Sequence, residues 1–417
     1  MMRVHWLPTL LFSAVVATSF SSEAGTVKPT DYERELAQIQ KDIEELQPNA
    51  LSAPIDSDKA TRFVYRLYHR ASLTGSFAEL KFVEAAIDHA VRRIGTSEDL
   101  TFLKASLDIK LHQLANAKHD LAMVPTLATR PQGQTLQADL HLQEGRFEEA
   151  RTGYTAAIHT HRTWDTLARL AYLLAKTGDV AGAERLYLEA EDELTSKEMR
   201  FYAWVELQRG LLGLSHGRHD QAAAHYKQAE KAYSGYWLID AHNAELLGAQ
   251  RKFDQAVALY EKVIAQVPRP EFQQELGDLY LFMGQPDRAK PWHEKALVGY
   301  LESAQRGEVH YYHHLTTLYA DAHENGAEAV KWARRDLALR ENFATQDALA
   351  WALYRDGQFV EALGPIKKAL ASGVQDAHLF FHAAMIHLAA GQADTGRRWL
   401  AKAAEFNPHY DRFHVHR

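Results

Sequence analysis

The ten residues GRFEEARTGY, Gly145 to Tyr154, decide the fold because the chain writes them again and again. The pattern is a turn residue at Gly145, an aromatic at Phe147, a small residue at Ala150 and a large ring at Tyr154. RKFDQAVALY repeats it through Arg251, Phe253, Ala256 and Tyr260, and GQFVEALGPI through Gly357, Phe359, Ala362 and Ile366. Weaker copies turn at Gly178, Gly217, Gly284, Glu324 and Gly391. Successive turn residues lie 33, 39, 34, 33, 40, 33 and 34 positions apart, so two copies carry insertions and the others keep one period. A fixed period of this length marks an array of small units that bury their apolar faces against each other.

Each period reads as two antiparallel helices. Ala171, Gly210, Ala244, Gly277, Ala350 and Ala384 place small residues where a first helix must approach its partner. Ala150, Ala183, Ala222, Ala256, Ala289, Ala329 and Ala362 do the same on the second helix. The turn residue ends the first helix, and the aromatic after it fills the space between units. Pro291 and Pro365 fall inside second helices, where a proline removes a hydrogen bond and favours a kink. In such an array each unit is expected to touch only its neighbours.

These residues resemble the tetratricopeptide repeat family over residues 131–410. The upstream stretch TGSFAELKFVEAAI sets Gly75, Phe77 and Leu80 in the same register, so residues 58–130 read as degenerate repeats that open the array. DYERELAQIQKDIEELQPN, within residues 25–57, reads as a charged helix serving as a cap or a tether. The resemblance implies an all-α right-handed solenoid of nine or ten helix pairs. ATQDALAWALYRDGQFVEAL and DAHLFFHAAMIHLAAGQADTGRRWLAKAAEFNP further resemble the last repeats of a group of exported bacterial tetratricopeptide proteins.

Composition narrows the function. The chain has 417 residues, a net charge of −7 and no cysteine. The acidic balance argues against a nucleic-acid surface, and without cysteine there is no disulfide, thiol nucleophile or thiolate metal site. Arg3 followed by WLPTLLFSAVVA and the small residues of TSFSSEAG reads as a signal peptide over residues 1–24, which predicts a periplasmic or secreted protein. No later segment is apolar enough to span a membrane. GLSHG, Gly213 to Gly217, matches a serine-nucleophile pattern at Ser215, but it sits where a repeat turns and lacks the strand that such a nucleophile needs. Neither an enzyme nor a cofactor is expected.

The histidines pose a sharper choice. VHYYHHLTTLYADAHENG, Val309 to Gly326, holds four of the 23. His310/His314 and His378/His382 stand four apart and could chelate a metal if helical, with Asp347 lending a carboxylate. The family register offers another reading. The resemblance implies that first helices line a concave groove, and this places Tyr311, His314, Asp347, Trp351, Tyr354, Arg355, His378, Phe381 and Met385 on one inner wall, with His313 off it. A wall of aromatics with a few polar groups suits a protein or peptide partner, and we expect such a scaffold, with metal handling as the alternative. Residues 411–417, the end of NPHYDRFHVHR, read as a solvated tail.

Overall fold

The computed structural model describes residues 28–51 and 56–414; the signal-peptide expectation, residues 1–24, lies outside them. Every regular element among the described residues is helical. Helix α1 (Asp31–Leu51) precedes ten pairs. The first pairs are α2/α3 (Ser57–Thr74, Phe77–Ile94), α4/α5 (Glu98–Lys110, Leu114–Met123) and α6/α7 (Pro131–Gln143, Phe147–Thr160). Then come α8/α9 (Trp164–Lys176, Val180–Asp192), α10/α11 (Met199–Ser215, His219–Ala232) and α12/α13 (Trp237–Ala249, Phe253–Gln266). The last four are α14/α15 (Pro270–Phe282, Pro286–Gln305), α16/α17 (Tyr312–Thr317, Gly326–Leu339), α18/α19 (Phe343–Arg355, Phe359–Ala371) and α20/α21 (Ala377–Ala389, Ala393–Phe406). Helix α16 runs on into a π-turn, Leu318–Ala322.

All eight turn residues of the periodic pattern adopt a left-handed backbone, including the non-glycine Arg251 (φ 61°) and Glu324 (φ 48°). His112 (φ 61°) does so between α4 and α5, which makes the degenerate stretch a full helix pair turned on a histidine. Ala150, Ala183, Ala222, Ala256, Ala329 and Ala362 are fully buried, as are Ala171, Ala244, Ala350 and Ala384. At Gly210 and Gly277 even a methyl group would collide, 2.1 Å from the Tyr226 ring and 2.3 Å from the His293 ring. Large rings on second helices thus reach into notches cut in the first helices. Pro291 and Pro365 leave α15 and α19 unbroken. Residues such as those of α20, AHLFFHAAMIHLA, are apolar almost all round because first helices are packed from several sides.

The expectation of neighbour-only contacts is overturned. The solenoid winds so tightly that its second turn stacks on its first. Asn342 Nδ2 donates to the Gln143 carbonyl at 2.8 Å across 199 residues of sequence. The Gln375 amide donates to the Lys176 carbonyl at 2.9 Å. Phe77 stacks on His310, ring centroids 4.1 Å apart, and the Arg269 guanidinium lies over the Phe77 ring at 5.0 Å. Helix α1 is held the same way: Ser234 Oγ donates to Asp31 Oδ2 at 2.7 Å, 203 residues away, and Tyr233 donates to Glu35 at 2.6 Å. It packs on α2 as well and closes the first end of the array.

Residues 411–414 correct the tail expectation, whose last part, 415–417, lies outside the described residues. Residues 407–414 turn back from α21 as a strap across the inside of the coil. Phe413 is 3% exposed, with its ring against Gly248 and 5.9 Å from that of Phe282, and His414 Nδ1 stands 3.3 Å from Glu245. A phenylalanine released to water would forfeit roughly 1.5–3 kcal/mol of burial, which is why the segment does not remain solvated.

Candidate functional site

First helices of the second turn and the strap enclose a cavity of about 540 Å³. Its wall takes Glu271, Gln274, Glu275 and Asp278 from α14, and His313, His314 and Thr317 from α16. Asp321 comes from the π-turn, Asp347 and Trp351 from α18, His378, Phe381 and His382 from α20, and Tyr410, Asp411, Phe413 and His414 from the strap.

Trp351 is the hub. Its indole stacks between Tyr354 (4.7 Å, 20°) and His382 (4.1 Å, 15°), and Nε1 donates to Asp321 at 3.0 Å. The π-turn widens the helix by one residue per turn, and Asp321 sits within it, facing the indole. Burial pushes the Asp321 carboxyl up to about 6, against the pull of that indole hydrogen bond and of His382 and Arg355. His382 is 5% exposed and its Nδ1 stands 3.0 Å from Asp347 Oδ2. Burial opposes a charge on this imidazole, but Asp347 outweighs it and holds the pKa above the usual value. The half-buried Glu275 is raised well above the carboxylate range, first by burial and then by the fields of Glu245 and Glu271.

Of the nine residues assigned to the inner wall from sequence, His314, Asp347, Trp351, His378 and Phe381 meet at this cavity. Tyr354 backs Trp351 from behind. Arg355 is at the rim, where Nε donates to the Ala320 carbonyl at 2.8 Å and pairs with Asp321 at 3.7 Å. Met385 is half-buried and outside the lining. Tyr311 is a correction: it is 6% exposed and wedged among Phe77, His310 and Tyr300, because α16 starts only at Tyr312 and leaves Tyr311 in the loop before it. His313, set off the wall from sequence, lines the cavity.

The same late helix start takes His310 out of the metal alternative His310, His314, Asp347, His378 and His382, while the other four line the cavity. His310 precedes the helix, so it shares no face with His314; its ring lies flat on Phe77, 4% exposed, and burial pulls its pKa down to about 4. Among the described residues no three His, Asp or Glu side chains are arranged to hold a metal ion. Ser215 ends α10 with its hydroxyl donating to the Leu212 carbonyl at 3.0 Å, the geometry of a helix terminus and not of a nucleophile turn.

Sequence reasoning missed the α14 carboxylates, although the same register carried one repeat upstream points to them. It also missed the strap, which no periodicity announces. A second cavity, of about 810 Å³ inside the first turn, was not foreseen either; Arg62, Arg66, Lys110, Arg169 and Arg200 contribute to its wall. Lys110 Nζ lies 5.9 Å from the centre of the Tyr68 ring, and burial lowers its pKa to about 8.

Residues 135–197, which span α6 to α9, match the tetratricopeptide repeat family. The chain carries tetratricopeptide repeats. Among solved structures it is similar to the Cut9–Hcn1 hetero-tetramer of the APC/C, at 14% identity, with 91% of this chain and 80% of that one covered and a TM-score of 0.44. It is also similar to the human IFIT1 dimer with PPP-AAAA, at 14% identity, 89% and 88% coverage and a TM-score of 0.47. A tetratricopeptide repeat protein from Parabacteroides merdae gives 16% identity, 70% and 98% coverage and a TM-score of 0.38. None of the curated proteins matches the sequence. Tetratricopeptide repeats mediate interactions between proteins, and no helix among the described residues is long and apolar enough to cross a membrane.

Proposed function

We propose that this chain is an exported, non-catalytic scaffold that holds an extended segment of a protein or peptide partner in the cavity of its second turn. One observation carries the reading: α14, α16, α18, α20 and the strap converge on a single cavity whose wall combines large rings with hydrogen-bonding groups. Recessed aromatics of this kind dominate binding energy at interfaces. The stacked turns narrow the space inside the coil, so an extended segment suits it better than a helix about 10 Å across. Export rests on the short apolar run and small residues at the start of the sequence.

The test pairs wall with outer face. Trp351→Ala and Phe381→Ala should weaken capture of partner from the periplasmic fraction, while Lys367→Ala and Arg398→Ala, both exposed on second helices, should not. Loss of capture in the outer-face variants alone would sink the cavity assignment. An intact Met1 on protein purified from its own host would sink the export assignment.

A further inference from the structure

The second-turn cavity is rich in carboxylates, set among the five histidines His313, His314, His378, His382 and His414. Glu271, Glu275, Asp278, Asp321, Asp347 and Asp411 contribute to its wall, and no lysine or arginine does. Some of this charge is answered from behind: Arg269 pairs with Glu271 Oε1, Arg355 with Asp321, His293 with Asp278 and His382 with Asp347. Glu271 Oε2 and the Glu275 carboxyl have no such cation. Glu271 is 6% exposed, yet its Oε2 has no hydrogen-bond partner. Glu275 has no Lys, Arg or His ion-pair partner among the described residues, and its raised pKa reflects burial beside Glu245 and Glu271. A buried carboxylate oxygen left without a partner costs free energy that a bound donor would recover.

The rest of the wall supplies the other half of a cation site. Trp351 and Phe381 stand with ring centroids 6.3 Å apart, Tyr410 lies 6.1 Å from Phe381, and Phe282 and Phe413 continue the apolar side. Ring faces attract ammonium and guanidinium groups once water is displaced, and carboxylates bond them directionally. The cavity of the first turn, with its arginines and Lys110, has the opposite character, so the acidic lining is a property of this site and not of the whole lumen.

We propose that the second-turn cavity takes a basic side chain, a lysine ammonium or arginine guanidinium presented by the extended partner segment, between the carboxylates of Glu271 and Glu275 and the rings of Phe381 and Tyr410. This rests on the partner-cavity reading and names the chemistry it selects. Burial beside Glu245 and Glu271 raises the Glu275 pKa, and a cation seated there shifts that carboxyl back toward its ionised form.

The experiment titrates the full chain with blocked pentapeptides of alanine bearing a central Lys, Arg, Gln or Glu, by calorimetry in buffers of different ionisation enthalpy. The Lys and Arg peptides should bind, weaken as salt is raised, and release a proton; the Gln and Glu peptides should not bind. Glu275→Gln should lower Lys-peptide affinity roughly tenfold, the loss of one charge-assisted bond, and abolish the proton release. That second readout separates a ligand-binding carboxylate from one that merely supports the fold, and Glu271→Gln repeats the test at an independent position. Equal binding of the Gln and Lys peptides, preference for Glu, or no binding of the Lys peptide overturns the cation inference. In each case capture that still depends on Trp351 and Phe381 leaves the scaffold reading standing, and indifference to those two residues removes both.

Discussion

Gly145→Ala and Gly357→Ala form a matched pair that weighs the stacking of the two turns. Both glycines occupy the same place in the repeat, before Phe147 and Phe359, and both are left-handed, at φ 72° and 78°. Forcing an alanine into that conformation costs roughly 1–2 kcal/mol in either variant. They differ in what lies above them. A methyl at Gly357 meets nothing within 4 Å, whereas one at Gly145 lies 3.2 Å from Asn342 Cα and 3.3 Å from the Glu341 carbonyl oxygen. Those neighbours are backbone, so the 341–342 loop must retreat by a few tenths of an ångström. That movement strains the bond from Asn342 Nδ2 to the Gln143 carbonyl, worth about 1 kcal/mol net, and overpacking adds about 1–3 kcal/mol. Gly145→Ala should therefore destabilise by about 1–3 kcal/mol more than Gly357→Ala. Urea unfolding followed by helical circular dichroism measures the difference, and hydrogen exchange of residues 340–346 locates it. Equal unfolding midpoints with unchanged exchange in that loop would refute the stacked geometry.

Two other perturbations probe the same architecture. Phe413→Ala should cost about 1.5–3 kcal/mol at its site, not the 3–5 of an interior cavity, because the strap can peel away; faster tryptic cleavage after Arg412 reports it, and an unchanged rate would contradict the docked strap. His310 titrates at about 4 when folded and near 6.5 when unfolded, so below 6.5 the unfolded chain binds the extra proton. Its contribution is intact above that pH and falls as pH drops toward 4, by on the order of 3 kcal/mol. His310→Phe, which keeps a ring on Phe77, should flatten this part of the stability profile between pH 6.5 and 4, and an unaltered slope would show that the His310 proton is not involved.

The repeat was legible because its signals are local. A turn residue, an aromatic two on and an alanine three later are set by one helix crossing, and the period they keep located eight of the left-handed positions, even where Arg251 and Glu324 stand for glycine. His112 escaped because Leu114 stands where the aromatic belongs, although Ala117 is buried at the usual spacing. Within the site, Asp347, Trp351, His378 and Phe381 were found because α18 and α20 keep the period. Tyr311 and His310 were misplaced because the insertion before α16 shifts where that helix begins. Contacts such as Asn342 with Gln143 have no local signature, since small rotations between successive pairs add up over many repeats before the two segments meet.

That long return interval also sets a clock on synthesis. When Gln143 is joined to the growing chain, the asparagine that will donate to its carbonyl is 199 residues from being made. At about 5–20 residues per second, this is a wait of roughly 10–40 s. During it the turns at Gly145, Gly178 and Gly217 and the ring of Phe77 have no upper layer to meet. A nascent chain halted before Glu341 is therefore an uncovered ramp of helix pairs with water on its upper edge, a state in which passing chains or holding factors can reach surfaces that the later residues will cover.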